Sequence, residues 1–330
     1  MIISRTPFRI SFFGGGTDYP EWYKENGGAV LSTSINKFSY ITARYLPPFF
    51  DYKYRIRYYQ REETNSIKEI QHPSVKNCLQ FLKFKDNLDL VHHADLPARG
   101  GLGSSSTFTV GLLHATYSLQ SKMIGKRQLA MNAIHIEQNL IKESVGSQDQ
   151  VAAAFGGLNK IEFGGPKEFT VKPISIEPER VKLLESNLML FFTGFSRTAS
   201  NIASEQIKTI HKRKAELIEM HESVDQAIEI MTSNQSMDDF GRLMGEQWQN
   251  KKKMTDLISN SDINDIYSKG IKAGAIGGKL LGAGGGGFIL FYVPKDRQKK
   301  VKNDLKNLLY VPFSFDFTGS QIIYYSDTRY

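Results

Sequence analysis

The sequence holds a single cysteine, Cys78, so no disulfide can close within the chain and no cysteine zinc cluster can be built. That usage fits a reducing compartment, and a cytoplasmic location is the expectation. No run approaches the roughly 20 apolar residues of a membrane-spanning helix. The opening stretch Met1–Phe13 lacks an unbroken apolar segment and a small-residue cleavage site, so it reads as mature protein rather than a leader. Internal repeats and low-complexity tracts are missing too, which excludes solenoids and fibres. Prolines are few, 11 against 28 glycines, and the glycines gather in a few clusters.

What remains is an ordinary globular composition. Of the 330 residues, 40% are hydrophobic and 23% charged, enough to fill a real core. At about 100–200 residues per domain, one large or two medium domains are expected. The net charge is +8. Its basic runs are Lys208–Lys214, Lys251–Lys253 and Lys295–Lys302, the first flanked by Glu205 and Glu216. Such runs read as solvated helix faces. No recognition helix, RRM or zinc finger stands beside them, so no nucleic-acid partner is expected.

Period-two and aromatic-rich segments predict strands at Ile2–Phe13, Ala29–Leu46 (a hairpin broken near Asn36), Tyr54–Arg61, Leu88–Ala94 and Leu158–Phe163. Helical spacing predicts helices at Val75–Phe84, Ser105–Leu119, Lys126–Lys142 and Gln148–Phe155. After about Ala199 long amphipathic helices dominate, and the chain ends in a further sheet. Strands followed by segregated helices argue an α+β fold in two lobes, divided as 1–193 and 194–330.

Three glycine clusters punctuate this plan: Gly14–Gly15–Gly16 before Thr17–Asp18–Tyr19, Gly100–Gly101–Leu102–Gly103 before Ser104–Ser105–Ser106, and Gly282 to Gly287 before Phe288. In the second, a strand enters and an apolar helix leaves. Glycines let peptide N–H groups turn toward a ligand with no Cβ in the way. The helix start adds unsatisfied N–H groups and a positive dipole end, so the pair forms an anion site suited to phosphate. The competing reading is a plain loop in which Ser104 or Ser105 caps the helix. A Walker A loop does not fit, because Ala273 and Leu280 fill the required positions around Gly278–Lys279. Rossmann spacing at Gly282, Gly284 and Gly287 precedes a strand rather than a helix, so the dinucleotide mechanism fails there.

Pro97-x-x-x-Gly101-Leu102-Gly103-Ser104-Ser105 resembles the central motif of the GHMP kinases, the superfamily of galactokinase, homoserine kinase and mevalonate kinase. Thr6–Ile10 with Gly16–Tyr19 resembles that family's first motif, and Lys279–Phe288 its third. The three stand in the family's order and span nearly the whole chain. Phe8 departs from the usual glycine, Ser106 from the usual alanine, and Gly15–Gly16 from the Glu-His of galactokinases. The Gly-Gly-Gly-Thr-Asp-Tyr-Pro form, with Thr193–Arg197, resembles family members that act on a heptose phosphate.

The resemblance implies a ribosomal-protein-like N-terminal lobe and a ferredoxin-like C-terminal lobe. It implies transfer of the γ-phosphoryl of ATP, with magnesium, to O1 of D-glycero-α-D-manno-heptose 7-phosphate, in nucleotide-activated (GDP-) heptose synthesis for a surface polysaccharide. Fucokinase- or galactokinase-type activity, or a sugar sensor without catalysis, stays open as an alternative, and the family leaves room for a homodimer. By this resemblance Gly100 to Ser106 hold the nucleotide, Ser105 and Glu137 ligate magnesium, and Asp149 beside Arg9 serves the acceptor hydroxyl. Ser147 and Gln150 also fit a capping-box spacing around Asp149. Asp18 can accept hydrogen bonds from two adjacent sugar hydroxyls, with Gly15, Gly16 and Thr17 around it. Gly284 and Gly285 would approach the substrate from the third cluster. Replacing Glu-His by two glycines opens volume for a longer, anionic sugar, and Arg197 is the expected partner of its distal phosphate.

Overall fold

The computed structural model describes residues 1–194 and 201–326, together with the backbone of 199 and 200. Its first sheet has nine strands. At its centre runs Gly28–Tyr45, which pairs with Ile2–Phe13, Leu88–Ala94 and Leu158–Phe163, all antiparallel. One sheet face is apolar because alternate residues such as Ile41, Ala43, Leu88 and Leu90 point the same way. Against it pack the helices Ser104–Leu119 and Gln148–Phe155, through Val110, Leu113 and Val151. Helix Ser104–Leu119 comes close to the first strand at Gly111. Ser4 donates to the Gly111 carbonyl at 2.8 Å, and a Cβ there would stand 2.9 Å from Thr6 Oγ1.

The expected hairpin near Asn36 is not formed. Gly28–Tyr45 is one continuous strand with an irregular register opposite Pro7 and Arg9. Asn36 is exposed and exchanges hydrogen bonds with Ser314, accepting one on its side chain and donating one from its backbone, both at 2.8 Å. A polar residue that suggested a turn instead marks a bulge.

A second, four-stranded antiparallel sheet runs in the order Leu309–Val311, Leu188–Gly194, Gly287–Tyr292, Gly277–Leu280. The helices Lys214–Thr232, Met237–Lys252 and Ser261–Ala273 accompany it. Strand pairing therefore divides the chain differently from a cut at 193/194. Leu188–Gly194 belongs to the second sheet, while Phe315–Asp316 and Gln321–Tyr325 return to the first. The two lobes also share a core. Phe12 and Phe13 of the first strand meet Phe240 edge-on, at centroid distances of 5.4 and 5.1 Å. The first strand thus carries its polar end, Arg9 and Ser11, along the seam between the lobes.

Candidate active site

The second and third glycine clusters meet at this seam, backbone against backbone. A Cβ on Gly101 would lie 2.3 Å from the Leu281 carbonyl oxygen, and one on Gly282 would lie 2.4 Å from Gly101 Cα. The Phe288 N–H donates to the Gly100 carbonyl at 3.1 Å. Gly101 (φ +83°) and Gly103 (φ +77°) are left-handed, where L side chains are strained. Gly103 is the N-cap of helix Ser104–Leu119 and has no side chain to cap it. Ser104 Oγ accepts instead from the Arg99 N–H at 3.1 Å. Neither Ser104 nor Ser105 caps the helix, so its first N–H groups stay open to a ligand. Ser105 is exposed, Leu102 is a buried core side chain, and Ser106 points inward.

Asp149 stands beside this nest. A methyl group added to Gly103 would lie 3.3 Å from Asp149 Oδ2. Arg9, 3% exposed, joins the two: Nε and Nη2 donate to Asp149 Oδ1 at 2.7 Å, and Nη1 donates to the Gly101 carbonyl at 3.0 Å. Its backbone N–H donates to the Leu102 carbonyl at 3.2 Å. Asp149 sits in the first turn of Gln148–Phe155 and keeps 26% of its side chain exposed, so a ligand can reach it. The capping box expected there does not form. Gln150 donates instead to Glu137, and Ser147 Oγ bonds the Tyr23 hydroxyl at 3.1 Å.

Glu137 is wholly buried. It lies in a π-helical turn, Ile136–Ile141, that continues helix Lys126–His135, where a continuous α-helix was expected. Such insertions recur at functional sites because they re-aim one side chain. Its Oε2 accepts from Ser106 Oγ at 2.7 Å and from Gln150 Nε2 at 2.5 Å. Ser106, not Ser105, is thus its hydroxyl partner. Its Oε1 is buried with no protein partner. Burial pushes the carboxyl up to about 7, against the pull of the Ser106, Thr109 and Gln150 hydrogen bonds.

Asp18 is 3% exposed. Its Oδ1 accepts from the Gly16 N–H at 2.9 Å and its Oδ2 from the Gln148 N–H at 3.4 Å. Burial raises its pKa, with the nearby Asp149 charge acting in the same direction. Thr17 serves the backbone around it. It is fully buried, and its hydroxyl donates to the Gly14 and Ala29 carbonyls at 2.8 and 2.9 Å, so it holds the glycine turn in place. Gly285 commits its N–H to the Ile258 carbonyl at 3.0 Å, and a Cβ on Gly284 would meet Ile258 Cα at 2.7 Å. These two glycines pin the third loop to the second lobe. Gly15 lies near the buried, unpartnered Ser11 Oγ and near Gln148 Nε2. Arg197 lies outside the described residues.

Sequence reasoning missed one charged group. Lys251 reads as part of a solvated basic run, yet it is half-buried at the end of helix Met237–Lys252 and donates to the Gly282 carbonyl. It lines a small cavity with Gly14, Gly15, Gln247 and Lys279. Its spacing of four residues from Gln247 puts the two on one helical face, the only signal that could have singled it out. Lys279, buried in its strand, donates to the Ser11 and Phe12 carbonyls at 3.0 and 2.7 Å and so ties the third motif to the first.

Family models match two stretches of the chain, GHMP kinases N terminal domain over residues 73–157 and GHMP kinases C terminal over residues 227–311. The chain is 30% identical to D-glycero-alpha-D-manno-heptose 7-phosphate kinase of Campylobacter jejuni, over 96% of this chain and 97% of that protein. A galactokinase of Thermotoga neapolitana is 21% identical over 96% and 97%. Among solved structures, a D-glycero-D-manno-heptose 1-phosphate kinase from Bacteroides thetaiotaomicron superposes with a TM-score of 0.81 at 25% identity, covering 99% of this chain and all of that one.

Proposed function

The chain belongs to the GHMP kinases and is an ATP-dependent small-molecule kinase; on that premise we propose that it phosphorylates O1 of D-glycero-α-D-manno-heptose 7-phosphate. The product would be the 1,7-bisphosphate used to make nucleotide-activated heptose. The names of the two heptose relatives place the existing phosphate at different ends of the sugar. The higher identity of the 7-phosphate enzyme supports O1 as the acceptor.

One observation carries the kinase chemistry: Arg9 links the Asp149 carboxylate to the open amide nest at Gly101–Ser106. Positioning and charge stabilisation supply most of phosphoryl-transfer catalysis. The nest N–H groups and the helix dipole hold the polyphosphate. Asp149 accepts a hydrogen bond from the acceptor hydroxyl and aims its oxygen at the γ-phosphorus. As the new O–P bond forms and the bond to the β-phosphate oxygen breaks, the hydroxyl proton passes to Asp149. Arg9 keeps the carboxylate at one angle throughout, and the third glycine loop, packed on Gly101, covers the nest and excludes water. Asp18, fixed by the Gly16 and Gln148 N–H groups, fits the role of sugar ligand.

The residues fit magnesium. Glu137 offers the buried, unpartnered Oε1. An ion there would be held by that one carboxylate, a loop serine hydroxyl and substrate phosphates. When bound, magnesium neutralises phosphate charge. No helix among the described residues is long and apolar enough to cross a membrane.

A coupled assay of ATP consumption across sugar 7-phosphates, 6-phosphates and free hexoses tests the reading, with ³¹P NMR of the product to locate the new phosphate. Turnover confined to fucose or galactose, or a product phosphorylated elsewhere than O1, overturns it.

A further inference from the structure

Glycine at position 15 is required neither by its backbone nor by its neighbours. Its φ lies outside the left-handed range, and a Cβ there would meet only Ser11 Oγ at 3.6 Å and Gln148 Nε2 at 3.7 Å, both ordinary contacts. The glycines on either side differ. A Cβ on Gly14 would stand 1.9 Å from the Ala29 carbonyl oxygen, and Gly16 has a φ of +111°. What Gly15 leaves is space between two polar side chains. Both have unspent hydrogen-bonding capacity, since Ser11 Oγ and Gln148 Oε1 are buried without a partner among the described residues. Buried polar groups are nearly always paired in folded proteins, so each orphan needs an account.

The start of helix Gln148–Phe155 sets Gln148 apart. Ser147 bonds the Tyr23 hydroxyl, Asp149 takes Arg9, and Gln150 donates to Glu137. Gln148 commits only its backbone, whose N–H donates to Asp18 Oδ2 at 3.4 Å. It thus stands between Asp18, the proposed sugar ligand, and Asp149, the proposed partner of the reacting hydroxyl. The residue is half-buried, so its amide can be reached from the site. The orphan groups also say what kind of ligand fits. An amide oxygen needs a donor, and a serine hydroxyl donates or accepts. A sugar hydroxyl does both and satisfies either group. A phosphate dianion only accepts and leaves the amide oxygen unpaired.

We propose that Gln148 is a direct sugar ligand: its amide takes a non-reacting hydroxyl of the acceptor sugar, in the space that Gly15 leaves open beside Ser11. This rests on the sugar-kinase reading above. With Asp18 and Gln148 both on the sugar, its ring is fixed at two points, and that sets which hydroxyl is presented to Asp149.

The test compares wild type with Gln148→Met, Gln148→Ala and Gly15→Ala in the full chain. The first two remove the amide, and the third puts a methyl group where the hydroxyl would sit, on a backbone that accepts it. Steady-state kinetics with D-glycero-D-manno-heptose 7-phosphate should show KM for the sugar raised about five- to thirtyfold in all three, the loss expected for one buried hydrogen bond, with KM for ATP unchanged and kcat changed less than KM. Thermal unfolding supplies a readout that a structural role would not give. The free variants should melt as wild type does, because no bond of the free protein is lost, while the rise in melting temperature on adding the sugar phosphate without ATP should shrink. An unchanged KM for the sugar in the Gln148 variants overturns the proposal. So does a fall in kcat at constant KM, which would make Gln148 a support for Asp149, or a free Gln148→Met protein that melts well below wild type. If wild type turns over only another sugar, the heptose reading falls, and the same variants assayed on that sugar decide this inference separately.

Discussion

Replacing Glu137 by glutamine should make the metal-free protein more stable at pH 8 while removing its activity. The carboxyl is wholly buried and its pKa stands at about 7, against an ordinary 4.5, chiefly because burial penalises the charge. In the unfolded chain it titrates at its ordinary value. Between about pH 4.5 and 7 the folded state therefore holds a proton that the unfolded state has lost, and stability falls as pH rises through that window. Above it the folded protein carries the full charge penalty, about 3 kcal/mol at 1.36 kcal/mol per pKa unit. Glutamine keeps one oxygen for Ser106 and Gln150 and has no charge to bury. The predicted gain is thus near zero at pH 4.5 and up to about 3 kcal/mol at pH 8. For a chain of this length that is roughly 4 °C in melting temperature. Thermal and urea unfolding in EDTA at both pH values measures it. At the same time kcat should drop about a hundredfold or more, since a carboxylate that serves the phosphates is lost. A Glu137→Gln variant that gains the same amount at both pH values, or is less stable than wild type at pH 8, refutes the reasoning.

Asp149→Asn should lower kcat by about two to four orders of magnitude with little change in KM for ATP, read by coupled assay; unchanged ATP consumption with intact sugar binding would remove Asp149 from the chemistry. Gly101→Ala combines a left-handed backbone, worth about 1–2 kcal/mol, with a methyl aimed at the Leu281 carbonyl. It should lower the melting temperature and raise KM for ATP, and wild-type values for both would contradict the packing described. Thr17→Val breaks the hydroxyl bonds to Gly14 and Ala29 and should cost about 1–3 kcal/mol of stability. Its ratio of activities on different sugars should stay as in wild type once the protein is folded; a changed ratio would make Thr17 a substrate contact after all.

Much of this site was legible because backbone geometry leaves a strong mark on sequence. Gly101 and Gly103 must be glycine for their φ values, and Gly101 and Gly282 also because two backbones touch. Arg9, Glu137 and Asp149 were placed through the family resemblance, and the structure brings Arg9 and Asp149 into contact and buries Glu137. What was hidden depends on contacts distant in sequence. Lys251 looks like its exposed neighbour Lys253 until the third glycine loop is folded against it. Gln150 has the spacing of a capping residue, but the buried Glu137 offers a stronger, charged acceptor and wins it. Ser105 and Ser106 differ by about 100° around the helix, and only packing decides which one turns inward. Sheet membership was hidden for a related reason: the last strands of the chain complete the first sheet.

That returning strand has a bearing on biosynthesis. Ile2 and Ile3 pair with Tyr325 and Tyr324, so the first sheet receives one of its strands only after residues 321–325 have emerged from the ribosome. Until then the opening strand presents bare amide and carbonyl groups along one side, a template for pairing with other nascent molecules. Completion of the first sheet therefore waits on residues from the far end of the sequence, a long-range pairing of the kind that slows folding.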